Sequence, residues 1–296
     1  MHSKLALGTV QFGLDYGISN KRGKVPEEEV KKILDLALKQ GIKVLDTSGG
    51  YGSSEEVIGK YQKETQRFFQ VVSKFVPRQS GARMDIRVEV MSSLRRLNGS
   101  SLYGFLFHRF EDFQKNERLW EDFQLLKKEG LVQKIGFSLY HVENLEMLFE
   151  KGIRFDMIQL PYSIFDRRFE KYFSRLKEMG CEIHVRSVFL QGLVFLDPES
   201  LSSFFAPIKD RLALLHDLAS QNGKSVGAIC LDDALSNSLV DRVVVGIDRI
   251  EALEENIKSC QQDKGTRSIT PQLRSLEITD ENILLPYRWP KEGVRL

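Results

Sequence analysis

The sequence VLDTSGGYGSSEEVIGKY, residues 44–61, joins a short strand pattern to a helical pattern through a glycine-rich turn. Its first residues are apolar and lead into Asp46, and the segment Ser54–Tyr61 has helical periodicity. An apolar run followed by an amphipathic helix is typical of one β/α unit in a parallel sheet. Because the turn carries Asp46 and Tyr51, this unit also brings two ionisable side chains to the end of its strand.

The same strand-then-helix pattern repeats along nearly the whole chain. The predicted strands and helices are Lys4–Gly8 with a helix from Pro26 to Gly41, Val44-Leu45 with Ser54–Tyr61, Phe69–Lys74 with Met84–Leu97, Tyr103–His108 with Phe113–Lys128, Val132–Ser138 with Val142–Phe149, Phe155–Gln159 with Phe169–Met179, Glu182–Ser187 with Ile208–Gln221, and Arg242–Gly246 with Ile250–Cys260. Eight pairs without a Pro/Gly/Ser-rich linker predict an α/β fold, a (β/α)8 TIM barrel, as a single domain over residues 1–296.

Two features bear on this fold prediction. A doubly wound sheet is the structural alternative, but it usually carries G-x-G-x-x-G after its first strand, and the pattern is absent. The triplet Gly223-Lys224-Ser225 imitates the end of a P-loop, yet Leu218 occupies the place of the first glycine, so we interpret the triplet as a turn between helices. The excursions Phe189–Pro207 and Gln261–Leu296 are expected to wall the active site.

Composition excludes several classes of function. The chain has 296 residues, and 43 Lys and Arg against 41 Asp and Glu give a net charge of +2, too small a field to draw in nucleic acid or a membrane. Three separated cysteines, no signal peptide and no long apolar stretch lead us to expect a cytoplasmic protein. The histidines show no H-E-x-x-H or other metal-binding spacing. These patterns favour a small-molecule partner and carry no signal about oligomeric state.

Four ionisable side chains follow successive strands at the end where a (β/α)8 barrel places its active site. Asp46 ends its strand, Tyr51 lies in the next loop, Lys74 ends the run 70–74 and His108 ends the run 105–108. Singly, each has an ordinary explanation as a cap, a packing residue, a solvated amine or a hydrogen-bonded structural group. Because all four side chains are expected at the same end of the barrel, together they favour a site for proton transfer.

This set of side chains suits carbonyl reduction. Hydride delivered to a carbonyl carbon leaves an alkoxide, which needs a proton donor within hydrogen-bond reach. Tyrosine is a weak acid with an ordinary pKa of about 10. We expect the Lys74 ammonium to lower the pKa of Tyr51, with Asp46 holding Lys74 charged, and His108 to donate to the substrate oxygen or relay its proton.

The chain resembles the aldo/keto reductase family over nearly its whole length. The family's Asp, Tyr, Lys and His match Asp46, Tyr51, Lys74 and His108, and the first two keep the family's spacing. The segments LGTVQFG, residues 7–13, and SSEEVIG, residues 53–59, are similar to the family's first strand and to the helix after its Tyr. The resemblance implies an NAD(P)(H)-dependent oxidoreductase that reduces an aldehyde or ketone to an alcohol.

The resemblance also implies that the cofactor is NADP(H) or NAD(H). The residues it implies for cofactor binding are Gly8, Thr9, Asp46, Ser138, Gln159, Arg186, Ser187, Leu190, Gly192, Gly246, Asp248, Arg249, Glu255 and Asn256. Arg186 stands where many members place an aromatic residue that stacks on the nicotinamide, and a planar guanidinium can also stack on a ring. Asp248 suits a free ribose 2′-hydroxyl and Arg249 a 2′-phosphate, so both cofactors stay open.

Two other functions stay open at this point. Lys74 at a strand end could form a Schiff base, as in a lyase, if it lost its proton. A non-catalytic regulatory barrel could bind the nicotinamide without useful turnover. The expected partner is a small-molecule carbonyl or alcohol substrate, selected by the loop Arg109–Arg118 and the two excursions. The run Arg186–Gly192 and the ending Asp280–Trp289 resemble a bacterial branch associated with sugar metabolism, which implies a sugar-derived substrate.

Overall fold

A computed structural model describes residues 4–77, 85–261 and 269–290. Its strands form a closed barrel in chain order, and every neighbouring pair is parallel, including the pair that closes the barrel. The strands are β1 (Leu5–Gly8), β2 (Val44–Asp46), β3 (Gln70–Phe75), β4 (Leu102–Phe107), β5 (Val132–Ser138), β6 (Met157–Pro161), β7 (Glu182–Arg186) and β8 (Arg242–Gly246). The predicted (β/α)8 TIM barrel is confirmed.

The helices lie in the connections that follow the strands. They are α1 (Glu27–Lys39), α2 (Ser54–Thr65), α3 (Ile86–Leu97), α4 (Phe110–Lys115), α5 (Leu119–Lys128), α6 (Val142–Glu150), α7 (Phe173–Glu178), α8 (Ala206–Gln221), α9 (Val226–Ser236), α10 (Ile250–Gln261), α11 (Thr270–Arg274) and α12 (Glu281–Leu284). In α1 the buried residues Val30, Ile33, Leu34 and Ala37 form one face, as their spacing predicts. Within the described ranges, no helix has the length and apolar composition to cross a membrane.

The barrel interior holds an apolar layer beneath the carboxyl ends of the strands. Its buried members are Ala6, Val44, Val72, Leu106, Met157 and Val244. Because side chains alternate across a strand, the residue two positions later points to the same interior, nearer the carboxyl end. Asp46, Lys74 and Gln159 stand at such positions on β2, β3 and β6. The strand periodicity therefore brings polar side chains together above an apolar floor.

Two predicted helices are interrupted or shortened in the structure. The predicted helix Phe113–Lys128 is two helices, α4 and α5, because Asn116 leaves the helical region at φ −152° and ψ 84°. The predicted helix Phe169–Met179 begins with the 3-10 turn Glu170–Tyr172, and α7 follows. The turn at residues 223–225 joins two helices, as interpreted, and the Ser225 hydroxyl caps α9. The predicted helix start at Met84 and parts of the predicted tail Gln261–Leu296 lie outside the described residues.

Candidate active site

A cavity of about 1110 Å³ opens at the carboxyl ends of the strands. The predicted site residues that line it are Gly8, Thr9, Asp46, Tyr51, Lys74, His108, Ser138, Gln159, Arg186, Ser187, Gly192, Gly246, Asp248, Arg249, Glu255 and Asn256. Leu190 does not line it, because its side chain packs in the hydrophobic core where the backbone takes a positive φ of 45°. The fold thus gathers side chains from distant parts of the sequence around one space.

A buried ion pair lies at the base of this cavity, above the apolar layer. Lys74 Nζ lies 2.7 Å from Asp46 Oδ2, and the two side chains are 1% and 6% exposed. The ammonium also donates to the backbone oxygen of Thr47 at 3.0 Å and lies 3.5 Å from the hydroxyl oxygen of Tyr51. Gln159 donates to the other oxygen of Asp46 at 2.7 Å. Each ammonium proton therefore has an acceptor, and the amine is fixed beside the phenol.

His108 lies next to Tyr51 and is held by Ser48. The Tyr51 and His108 rings meet edge to face with centroids 5.7 Å apart, and His108 Nδ1 is 3.3 Å from the hydroxyl of Ser48. Burial lowers the pKa of His108 to about 3, and the charges of Lys74 and Arg186 add to this effect. His108 is therefore a neutral hydrogen-bonding group near neutral pH.

The expectation that Lys74 lowers the pKa of Tyr51 is wrong. Burial raises the pKa of Tyr51, and the Asp46 carboxylate raises it further. The main physical reason is burial, because a phenolate would be an additional charge in a poorly solvated place where the Asp46 carboxylate already offsets the Lys74 ammonium. Tyr51 is therefore a protonated phenol, which is the form that a proton donor requires.

The geometry of Lys74 disfavours the Schiff-base alternative. Burial lowers the pKa of Lys74, and Asp46 opposes the change by favouring the ammonium. A Schiff-base lysine must present a neutral amine to a carbonyl. Here Nζ is instead turned towards Asp46 and the backbone oxygen of Thr47.

Neighbouring side chains on β5 and β6 present groups that fit an amide ligand. Ser138 and Gln159 are paired in the strand register, and the Ser138 hydroxyl donates to Gln159 Oε1 at 3.3 Å. A second candidate, which the sequence analysis did not select, is Gln11, which lines the same cavity. Its Oε1 is buried without a partner among the described residues, and such an acceptor fits a hydroxyl donor like a ribose. The cavity and these groups fit a dinucleotide with an amide-bearing ring.

Two opposite charges meet at the other end of the cavity. Arg249 Nη1 lies 3.2 Å from Asp248 Oδ1, and the side chains are 39% and 23% exposed. The backbone N–H of Ile250, at the start of α10, donates to the Glu29 carboxylate at 3.2 Å. Since Asp248 binds Arg249, the two signals that conflict in the sequence offset each other in the folded chain.

Arg186 stacks on a side chain of the protein itself. Its Cζ lies 3.9 Å from the centroid of the Tyr140 ring. Tyr140 in turn meets Tyr287 of the C-terminal tail edge to face, with centroids 5.4 Å apart, and both tyrosines line the cavity. Tyr140 was not predicted as a site residue, although it lies two residues beyond Ser138, which ends β5.

Two loops meet over the cavity. The Ile18 backbone N–H, after β1, donates to the Gln191 oxygen, after β7, at 3.0 Å, and the Gln191 amide donates to the Tyr16 hydroxyl at 2.7 Å. Gly192 has a φ of +95°, and a Cβ there would lie 2.0 Å from the Ser19 hydroxyl oxygen. The excursion Phe189–Pro207 thus walls the cavity, as expected, and the contact with the β1 loop is a feature that the sequence did not indicate.

Comparisons with known proteins agree with this geometry. A family model described as the aldo/keto reductase family matches residues 4–273. The chain is 24% identical over 300 residues to the uncharacterized oxidoreductase YqkF of Bacillus subtilis, covering 92% of each chain. It is 28% identical over 182 residues to the aldo-keto reductase YhdN of the same organism, covering 57% of this chain and 53% of YhdN.

Solved structures share the fold. The aldo-keto reductase AKR11C1 from Bacillus halodurans matches with a TM-score of 0.74 and 22% identity, over 99% of this chain and 95% of that one. The glycerol dehydrogenase AKR11B4 from Gluconobacter oxydans matches with a TM-score of 0.73 and 21% identity, over 98% and 94%. At this level of identity the likeness shows the barrel architecture alone.

Proposed function

The chain belongs to the aldo/keto reductase family, and from this premise we propose that it reduces an aldehyde or ketone, of sugar origin, to the alcohol with Tyr51 as the proton donor. Family membership makes it an oxidoreductase that uses NADP(H) or NAD(H). The observation that carries the proposal is the position of the Tyr51 hydroxyl, 3.5 Å from the ammonium of the buried Lys74–Asp46 pair. We also propose that residues 1–296 form a single domain.

The Lys74–Asp46 ion pair supports proton donation by Tyr51 at the moment when negative charge develops on the substrate oxygen. The nicotinamide cofactor, when bound, supplies the hydride. The Tyr51 hydroxyl donates its proton to the substrate oxygen as that oxygen gains charge, because an alkoxide is a stronger base than a phenolate. Lys74 Nζ, 3.5 Å from the phenol oxygen, then stabilises the phenolate that remains. The raised pKa of Tyr51 keeps the proton in place until then.

His108 supplies a second hydrogen bond to the same oxygen in this proposal. The Ser48 hydroxyl oxygen accepts from the Gly50 backbone N–H at 3.1 Å, so its own proton is available for His108 Nδ1. Accepting at Nδ1 leaves the proton of the neutral ring on Nε2. We assign Nε2–H as a donor to the substrate oxygen.

The other lining residues divide along the cavity by their chemistry. Ser138 and Gln159 would hold the carboxamide, and the unpartnered oxygen of Gln11 would accept from a ribose hydroxyl. Asp248 and Arg249 would face the adenosine ribose. The residues assigned to the remaining length of the cofactor and its adenine are Gly8, Thr9, Ser187, Gly192, Gly246, Glu255 and Asn256.

A substrate panel tests the proposal. Aldehydes, ketoses and keto-sugars are offered with NADPH and with NADH, and oxidation of the cofactor is followed by the nicotinamide absorbance. Turnover by the parent protein and its loss in Tyr51→Phe support the proposal. In a single-turnover mixture of the protein, bound reduced cofactor and an aldehyde, the absence of cofactor oxidation would favour the regulatory barrel. Covalent trapping of a carbonyl substrate on Lys74 by borohydride would favour the lyase.

A further inference from the structure

Arg186 is fixed in the cavity wall by three neutral groups. Its guanidinium carbon lies 3.9 Å from the Tyr140 ring centroid, Nη2 donates to the Leu139 backbone oxygen at 3.0 Å, and Nη1 to the Ser187 hydroxyl at 3.2 Å. The ring and the two acceptors set the plane of the guanidinium. None of them carries a charge that would neutralise it.

Among the described residues no carboxylate compensates the charge of Arg186, in contrast to the charges of Arg167 and Arg96. Arg167 lies 2.8 Å from Asp233, and Arg96 lies 2.6 Å from Glu55. Across residues 4–77, 85–261 and 269–290, no carboxylate lies within salt-bridge distance of Arg186. A partly buried charge without a counter-charge is unfavourable unless water or a ligand compensates it.

The neighbouring groups leave Arg186 as the net charge of the catalytic end of the cavity. The Lys74 ammonium is offset by Asp46 at 2.7 Å. His108 is neutral, since burial lowers its pKa to about 3, and Arg186 is among the charges that add to this effect. Arg186 also opposes the rise that burial causes in the pKa of Tyr51, so its field reaches the place where a carbonyl meets the phenol.

We propose that Arg186 anchors an anionic group, a carboxylate or a phosphate, on the carbonyl substrate. This inference rests on the proposed function, because the substrate must also present a carbonyl to Tyr51. A guanidinium offers parallel N–H donors that match two oxygens of either anion. Arg186 ends β7, Tyr51 follows β2, and both residues line the same cavity, so in this proposal one small molecule contacts both side chains.

Two matched pairs of aldehydes test this anchor. Succinate semialdehyde and butanal differ by a carboxylate, and glyceraldehyde 3-phosphate and glyceraldehyde differ by a phosphate. The value of kcat/KM is measured for each aldehyde with saturating reduced cofactor. We expect the anionic member of at least one pair to exceed its neutral match by about 10-fold or more, the range for a hydrogen bond to a charged group. The pair that shows the preference distinguishes carboxylate from phosphate.

Variants separate the charge from other roles of this side chain. Arg186→Gln removes the charge, and we expect it to lower the ratio of anionic to neutral kcat/KM by about 10-fold to 100-fold. Arg186→Lys keeps the charge without the planar fork and should retain part of the ratio. Arg67→Gln is the matched control, because Arg67 is exposed, lies 3.1 Å from Asp35 and is not among the residues that line the cavity, and its ratio should equal that of the parent. Thermal melting verifies that each variant is folded.

Two results would overturn the anchor. One is equal kcat/KM for both members of both pairs in the parent, and the other is an equal loss for both members in Arg186→Gln. Absence of turnover with every aldehyde would refute the proposed function. In that case, calorimetry with 4-hydroxybutyrate and glycerol 3-phosphate tests the anchor independently of turnover. Binding that Arg186→Gln abolishes supports the anchor, and no binding of either compound by the parent overturns it.

Discussion

Replacing Tyr51 by phenylalanine removes one oxygen and tests the proton donor directly. Among the described residues the hydroxyl has one hydrogen-bond partner, Lys74 Nζ at 3.5 Å, and the edge contact with the His108 ring does not involve it. We therefore expect the free energy of unfolding to change by no more than about 1 kcal/mol. Loss of a positioned general acid costs typically about 10²–10⁴-fold in rate, or roughly 3–5 kcal/mol of transition-state stabilisation.

The assay separates chemistry from binding and folding. The values measured are kcat with the best carbonyl substrate, the Kd of the reduced cofactor by its fluorescence, and the denaturant midpoint. Only kcat should change substantially. Tyr16→Phe is the matched control, because Tyr16 lines the same cavity but its hydroxyl accepts from Gln191 at 2.7 Å. A kcat for Tyr51→Phe close to that of the parent would refute the assignment and make His108 the leading candidate.

The coupling between Tyr51 and Lys74 gives the same prediction a second test. Lys74→Met removes the cation that stabilises the phenolate, so its rate loss should be similar to that of Tyr51→Phe. It also leaves the Asp46 carboxylate buried without its cation, which costs roughly 3–5 kcal/mol of stability for a broken buried pair. The Tyr51→Phe/Lys74→Met double variant should be little slower than either single variant, because the two groups act as a unit. Additive rate losses would show independent roles.

Four further predictions concern residues that line the cavity. Asp248→Ser should free its partner arginine and raise kcat/KM with NADPH relative to NADH by about 10-fold; an unchanged ratio would remove Asp248 from the cofactor site. Because the pKa of His108 is lowered to about 3, kcat/KM for reduction should be flat between about pH 5 and pH 8, and an inflection near the ordinary histidine value of about 6.5 would contradict this. As pH falls, His108 is protonated at a higher pH in the unfolded chain than in the folded chain. The stability contributed by the neutral His108 is therefore present above about pH 6.5 and is lost as pH falls towards 3, and urea midpoints across that range would measure the loss. Gly192→Ala should lower the free energy of unfolding by about 1–3 kcal/mol more than Gly223→Ala, because both glycines have positive φ but only the first would place its Cβ 2.0 Å from Ser19; equal denaturant midpoints would contradict the contact.

The barrel could be predicted because its cause is local. Each strand is recognised as a short apolar run and each helix by its periodicity. When helices connect parallel strands, the chain must start every strand at the same end of the barrel. The errors in the predicted helix boundaries were local as well. The break at Asn116 between α4 and α5 depends on two backbone angles, and the apolar spacing on either side of it is the same as in one continuous helix.

Sequence alone also placed Asp46, Lys74 and His108 at one rim, since carboxyl ends of parallel strands meet at one end of a barrel. It could not give their protonation. The pKa of Tyr51 is raised because burial and the Asp46 carboxylate outweigh the opposing charge of Arg186, and this balance depends on distances of a few ångströms between separate strands.

Only the tertiary structure decided what the two unusual arginines do. In the sequence, Arg186 occupies a position that suits a stack on a cofactor, and Arg249 one that suits a phosphate. In the folded chain Arg186 stacks on Tyr140, which is 46 positions earlier in the sequence, and Arg249 pairs with Asp248. The sequence gives the type of each charged residue. Its partner depends on which side chains the barrel brings within a few ångströms, because the Coulomb energy depends on that distance.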